Sequence, residues 1–250
     1  MNPLVRFLKQ TQGTVYVGET RKQKTLRLLP PQTEQELSAF EATLPCALPG
    51  EMRELLRFAS GFEGAACRLG HRFEIEEIRF ADTNGFGLED VFPHGKELAV
   101  DGCGNSWVLD LTSESKAFAP IFFCCHDPPV VVYQTDSLLH LVREIVRGSS
   151  PPWRSQIADV HGGLATRIWR ENPCAMSRSH CLALGDYELQ AFAEPLDETW
   201  EFIDLRNPKM GDGYSWGRYG GKTVNKRYGN RRIFACQKNR LGRRFIEAFR

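Results

Sequence analysis

The chain is predicted to be an α+β protein with a mainly antiparallel sheet, and three features of its first 150 residues carry that prediction. Two short amphipathic helices come early, at about 33–44 and 49–60. Several β-prone runs separated by tight turns follow, and one longer amphipathic helix closes the series at about 137–147. Neighbouring strands joined by short turns pair antiparallel, and helices gathered before and after them argue for α+β rather than alternating βαβ units.

The first two dozen residues are polar and weakly patterned apart from the β-prone run Thr14-Val15-Tyr16-Val17. Leu28-Leu29-Pro30-Pro31 is a rigid lead-in. Thr33 and Glu36 have the spacing of a capping box, in which hydroxyl and carboxylate each satisfy an early backbone N–H. Leu37, Phe40 and Leu44 then recur at helical spacing up to Pro45. Pro49 opens the second helix, where its missing donor costs nothing. Met52, Leu55, Leu56 and Ala59 share one face, and Gly61 is expected to end the helix in the left-handed conformation.

Phe73 to Phe80 reads as a strand region followed by the turn Asp82-Thr83-Asn84-Gly85, and Glu97 to Val100 as another strand. Asp101-Gly102-Cys103-Gly104-Asn105 is a tight turn. In the run after it, Trp107, Leu109 and Leu111 alternate with Ser106, Val108 and Asp110, the period of a strand with one face buried. Ile121 to Cys125 and Pro129 to Tyr133 are short apolar strands around His126-Asp127-Pro128. Leu138, Leu141, Val142 and Ile145 mark the inward face of the closing helix. Gly148 to Trp153 is the best linker candidate. The expected divisions are an N-terminal segment 1–24, a domain 25–150 and a basic extension 151–250. In the extension, Ile157 to Arg170 and Asp186 to Phe192 read as helices and Trp200 to Leu205 and Arg232 to Cys236 as strands, with a glycine-and-aromatic loop from Met210 to Gly221.

No apolar run is long enough to span a membrane, and the N-terminus has no secretory-signal pattern, so a cytoplasmic protein is expected. The eight cysteines have irregular spacings and no C-x-x-C pair, which favours reduced, mostly buried thiols over disulfides or a zinc ribbon. Cys124-Cys125-His126-Asp127 looks metal-like, but adjacent strand residues face opposite ways and do not converge on one ion. Cys103 with His126 lacks any mark of an oxyanion hole or orienting residue. Gly211-x-Gly213 and Gly220-Gly221 lack the Lys-Ser/Thr of a phosphate loop. No catalytic residue, metal or cofactor is expected, and the chain does not read as an enzyme.

The net charge of +1 conceals a split: residues 205–250 carry 13 Lys+Arg and two acids, whereas 25–150 carry 10 Lys+Arg and 19 acids. An acidic surface steers basic partners. The candidate partner face comprises Glu74, Glu76, Glu77, Glu89, Asp90 and Asp101, with Gly102, Gly104, Asn105 and Asp110 lining a cleft. The basic end offers Arg218, Lys222, Arg227, Arg231 and Arg232 among Tyr214, Trp216, Tyr219, Tyr228 and Phe234, a pattern that suits nucleic acid. Two expectations compete with it: docking of this end on the acidic face of the same or a neighbouring chain, and a solvated basic surface with no partner.

From about Leu28 to Arg147 the landmarks occur in a specific order: the helix pair with Leu48-Pro49 and Ala59-Ser60-Gly61, the turn 101–105 running into Trp107-Val-Leu-Asp-Leu111, Pro120-Ile-Phe-Phe, the strand near Val130 and the helix after Ser137. In this the segment resembles the SUKH superfamily, which includes bacterial toxin-immunity proteins and a fungal cell-wall-synthesis regulator. The resemblance implies a compact α+β fold that presents a face to partner proteins, with no catalytic residues and no cofactor. It implies a partner such as a basic toxin domain. The last hundred residues carry no recognised family pattern.

Overall fold

The structure, a computed structural model, describes residues 2–17, 23–63, 81–82, 88–100, 104–112, 119–148, 163–217 and 223–237. In chain order the elements are α1 (Pro3–Thr11), β1 (Val15–Val17), β2 (Gln23–Thr25), β3 (Arg27–Leu28), α2 (Glu34–Glu41), α3 (Gly50–Phe58), β4 (Phe62–Glu63), β5 (Ala81–Asp82), β6 (Gly95–Val100), β7 (Ser106–Asp110), β8 (Ile121–His126), β9 (Pro129–Thr135) and α4 (Leu138–Gly148). The C-terminal part adds α5 (Leu164–Glu171), β10 (Ala175–Ser177), α6 (Arg178–Ala183), α7 (Tyr187–Ala193), β11 (Trp200–Asp204), β12 (Gly213–Ser215), β13 (Asn225–Arg227) and β14 (Ile233–Gln237). The fold class is the α+β one that the sequence predicts, with every strand pair antiparallel among the described residues.

The helix pair forms as its caps dictate. Thr33 Oγ1 accepts from Glu36 N–H while the Glu36 carboxylate accepts from Thr33 N–H at 2.7 Å. Pro49 is the N-cap of α3, which begins at Gly50. The end of α3 departs from expectation: Ala59 turns to extended backbone (φ −156°), and no left-handed Gly61 is needed. The reason is tertiary. Ser60 N–H donates to Pro30 O and Leu29 N–H to Gly61 O, drawing the exit of α3 into the β3–β4 pair. The N-terminus departs further. Asn2 caps α1 by accepting from Leu4 N–H at 2.7 Å, and Leu4 and Leu8, four apart, are fully buried against α3 and α4.

The central sheet has six strands in the order β12-β9-β8-β7-β6-β5. Strands β6 to β9 are the run of antiparallel neighbours expected between Glu97 and Tyr133, whereas β5 includes Asp82, where a turn was expected to begin, and the β12 edge comes from the C-terminal part. Gly213, Tyr214 and Ser215 pair with Val132, Val131 and Val130, so the sheet continues across the expected division at residue 150. The segment 210–221, expected to be a loop, is therefore in part a strand.

One face of the sheet carries Trp107, Leu109, Phe123, Cys125, Val130 and Val132, covered by α1, α3, α4 and α5 in a single core. The other carries Val108, Phe122, Cys124, Val131 and Tyr133, and it too is buried. Strand β7 is buried at all five positions rather than alternately. The cover is a second sheet, ordered β10-β11-β14-β13, which packs Ile203, Leu205, Phe234 and Cys236 on that face. Its own outer side takes α6 and α7, where Phe192 meets Phe202 edge-to-face at 5.8 Å. The layers run helices, six-stranded sheet, four-stranded sheet, helices. Strands apolar on both faces demand a cover on both faces, and the C-terminal part supplies the second.

Candidate functional site

The most concentrated chemistry lies between the two sheets. Phe122, Phe234 and Phe92 form an aromatic cluster, with centroids 5.2 Å apart for Phe92–Phe122, 6.1 Å for Phe92–Phe234 and 6.5 Å for Phe122–Phe234, and Tyr214 stacks on Phe234 at 5.5 Å. Period-two alternation sends Asp110 of β7 and Arg227 of β13 into this layer. Asp110 is wholly buried, and the Arg227 side chain is 2% exposed. Arg227 Nη1 donates to Asp110 Oδ2 at 2.8 Å and to Val91 O at 3.0 Å, and its guanidinium lies 5.4 Å from the Phe234 ring centroid. The other Asp110 oxygen accepts from Thr112 N–H at 3.0 Å. Two buried charges in such a medium require each other and further hydrogen bonds to offset desolvation.

The thiols nearby are buried. Burial pushes Cys124 and Cys236 well up from the ordinary thiol range, so both stay protonated, and Cys236 Sγ donates to Asn225 Oδ1 at 2.7 Å. Cys124 and Cys125, adjacent on β8, sit in different cores on opposite faces. Burial also raises Tyr214 well above the usual phenol range. Among the described residues no group of three or more His, Cys, Asp or Glu side chains is placed to hold a metal, and no helix is long and apolar enough to cross a membrane.

Of the candidate partner face, Glu89 and Asp90 are exposed on the turn before β6, whose backbone Val91 O tethers to Arg227. Gly104 is exposed with φ +87°, a conformation that favours glycine, and a Cβ there would approach His126 Cε1 to 3.1 Å. Asn105 lies buried beneath it and holds His126: Asn105 Oδ1 accepts from the His126 backbone N–H at 3.2 Å and lies 2.9 Å from its Nδ1. Asp110 faces the second sheet, so the structure brings it to Arg227 and not to the outer surface. Glu74, Glu76, Glu77, Asp101 and Gly102 lie outside the described residues, as do the expected strand at 73–80, most of the turn 82–85 and Cys103.

Of the candidate basic face, Arg218 and Lys222 also lie outside the described residues. The other three are turned to internal partners. Arg227 meets Asp110, the exposed Arg231 donates from Nε to Glu188 at 2.6 Å, and Arg232 reaches Asp136 of the first part at 3.4 Å and Arg206 O at 3.0 Å. Docking of the basic end on the acidic part of the same chain, one of the competing expectations, thus occurs at Asp110 and Asp136.

Several binding residues of this junction escape the sequence reading. Trp216 Nε1 donates to Cys125 O at 3.1 Å, Ser215 Oγ to Pro129 O at 3.3 Å, and Ser215 N–H to Asn172 Oδ1 at 3.0 Å. Arg206 gathers Asp186, Glu188 and Asp204 at 2.7, 2.8 and 2.7 Å. Its guanidinium, together with the Leu189 N–H, holds the Asp186 carboxyl below the ordinary aspartate range. A depressed folded-state pKa stabilises above the unfolded value and ceases to do so as pH falls through the folded one. Asp186→Asn keeps the cap acceptor for α7 and removes the charge. We expect it to lower the unfolding midpoint at pH 7 by about 2–4 °C. The gap from wild type should hold down to about pH 4 and close only below it, as thermal melts across pH 2–8 will read.

In comparisons with known proteins, residues 31–144 match the SMI1 / KNR4 family (SUKH-1). The searches of curated proteins and of solved structures gave no match. The matched span runs from the lead-in of α2 into α4 and contains Asp110 but not its partner Arg227. Residues 31–144 are therefore a domain of the SMI1/KNR4 (SUKH-1) family, and the chain joins to that domain a C-terminal region, unassigned to any family, that shares its sheet and covers its second face.

Proposed function

We propose that the chain is a protein-binding module of the bacterial immunity type, acting in the cytoplasm, which neutralises a basic toxin domain by covering its active site. The family domain at 31–144 supports this reading, because immunity proteins are typical of the family. The observation that carries it is the charge of that domain, 10 Lys+Arg against 19 acids over residues 25–150, with Glu89 and Asp90 exposed on a turn whose backbone is tethered from below. A tethered acidic turn meets a cationic surface with little loss of freedom, and charge of this sign speeds encounter with a basic partner. The mechanism is occlusion without chemistry. The remaining face would comprise Glu74, Glu76, Glu77, Asp101, Gly102 and Gly104.

The alternative, nucleic-acid binding through 205–250, is weakened because Arg227, Arg231 and Arg232 spend their guanidinium groups on carboxylates of the same chain.

The test is a pull-down with the full chain from its native lysate, followed by titration calorimetry for the stoichiometry and stopped-flow mixing for the association rate of the basic toxin domain recovered. The reading predicts a one-to-one complex. Glu89→Lys/Asp90→Lys should lower its association rate roughly tenfold at low salt, with a smaller difference at high salt. Absence of a complex, or a complex indifferent to both substitutions and to salt, would sink the reading.

A further inference from the structure

Three of the helices on the first face of the six-stranded sheet, α1, α4 and α5, carry charge of the opposite sign to the acidic stretch 25–150 as a whole. α1 and α4 pack together, and α4 and α5 both pack on β9. All three contribute to one core through Leu4 and Leu8, Leu141, Val142 and Ile145, and Ala165 and Ile168. With those residues turned inward, helical geometry turns the intervening positions outward. There stand Arg6 and Lys9 of α1, Arg143 and Arg147 of α4, and Arg167 and Arg170 of α5, all exposed. His140 of α4 is exposed beside them. The sole exposed carboxylate on these three helices is Glu171 at the end of α5, since Glu144 is buried.

Two of the cations are held by aromatic rings rather than by acids. The Arg143 guanidinium lies 5.6 Å from the Phe7 ring centroid, and Lys9 Nζ lies 5.4 Å from that of Phe58. A ring orients a cation while leaving its outer side available to a second, anionic partner. This arrangement contrasts with that of the C-terminal arginines, whose charges are taken up by carboxylates.

We propose that α1, α4 and α5 form a surface that binds the phosphate backbone of a nucleic-acid duplex. The choice of partner follows from what the face lacks. The exposed large hydrophobic side chains among the described residues are Val15, Leu184, Tyr187, Met210 and Val224, and none is on these helices. A membrane-bound helix needs apolar side chains to insert, and these three helices expose no large aromatic side chain of the kind that anchors most protein interfaces. Single strands are held by exposed stacking rings, whereas Phe7 and Trp169 are half-buried. A duplex backbone is a polyanion that can be held by charge alone, without sequence readout. Packed helices such as α1 and α4 lie about 8–10 Å apart, and α5 packs on the same strand, β9, as α4, so the surface spans more than one phosphate. This surface is distinct from the acidic turn of the proposed immunity function, and neither depends on the other.

The experiment is fluorescence anisotropy of the full chain with a labelled 20-base-pair DNA duplex (about two helical turns) of arbitrary sequence, from 50 to 200 mM KCl. Five backbone contacts, from Arg6, Lys9, Arg143, Arg167 and Arg170, predict a log–log salt slope of about −4.5, a loss of roughly 500-fold over that range. Arg6→Gln/Lys9→Gln/Arg143→Gln should bring the slope to about −2. Arg167→Gln/Arg170→Gln, on a separate helix, should bring it to about −3. Lys226→Gln/Arg231→Gln, in the C-terminal sheet region, should leave it unchanged. No binding at 50 mM KCl overturns the proposal. So does a slope that responds only to the Lys226/Arg231 variant. Equal, equally variant-sensitive binding to anionic lipid vesicles or to polyglutamate overturns the assignment of the partner.

Discussion

Replacing Arg227 with methionine should lower the unfolding midpoint by roughly 6–20 °C. The substitution leaves the Asp110 carboxylate with no cation in a site of zero exposure, and it strips Val91 O of its donor. Removing one member of a buried pair costs about 3–5 kcal/mol, and a chain of this size loses about 2–4 °C per kcal/mol. Asp110→Leu alone should cost a similar amount, by stranding the guanidinium. The double variant Arg227→Met/Asp110→Leu should recover most of the loss, because an apolar pair fits beside Phe234 and Phe122 without desolvated charge. Thermal melts of the four proteins give the coupling. A single-variant shift below about 2 °C would mean that the two side chains do not meet in a dry interior.

The second large effect is expected at Gly213, where β12 joins β9. A Cβ there would lie 2.2 Å from Val131 O and 3.0 Å from Val132 Cα, both backbone atoms that cannot step aside. Gly213→Ala must push β12 off the sheet edge. The bonds at stake are Tyr133 N–H to Asp212 O at 2.7 Å, Gly211 N–H to Tyr133 O at 2.9 Å and Trp216 N–H to Pro129 O at 3.1 Å. With net contributions of about 1 kcal/mol each and an overpacking cost of about 1–3 kcal/mol, a loss of about 4–6 kcal/mol is expected. Hydrogen exchange locates it: the Tyr133 and Trp216 amides should lose protection about 100-fold more than the Phe123 amide at the sheet centre. Equal protection in the variant would contradict the close approach.

What the sequence made legible follows from how local each signal is. The capping box at Thr33, the apolar faces of α3 and α4 and the strands β7 to β9 rest on spacings within ten residues. α1 does not register because its apolar stripe, Leu4 and Leu8 with the half-buried Phe7, fills barely two turns, and a cap at Asn2 means little without the core beneath. The left-handed end expected at Gly61 gives way to a contact with Pro30, thirty residues earlier. β12 and β13 are three-residue strands inside glycine-rich sequence, too short for a period to register. One signal was present and carried the missing layer: β8 and β9 are apolar on both faces, and the second face needed a cover. The candidate site divides in the same way. That residues 205–250 are basic and 25–150 acidic is readable from composition. That Arg227 finds Asp110, 117 positions away, depends on the register of two sheets. It turns two apparent surface residues into one interior pair.

The C-terminal region is an integral layer on the family domain, and the two are expected to unfold as one body. Native-state hydrogen exchange of the full chain tests this most directly. The slowest amides of β8 and β9, at Phe123 and Val131, and of β11 and β14, at Phe202 and Ala235, should share one opening free energy and fall together in the Arg227→Met variant. Opening of β11 and β14 at a markedly lower free energy, with β8 and β9 still fully protected, would show two separable bodies and contradict it.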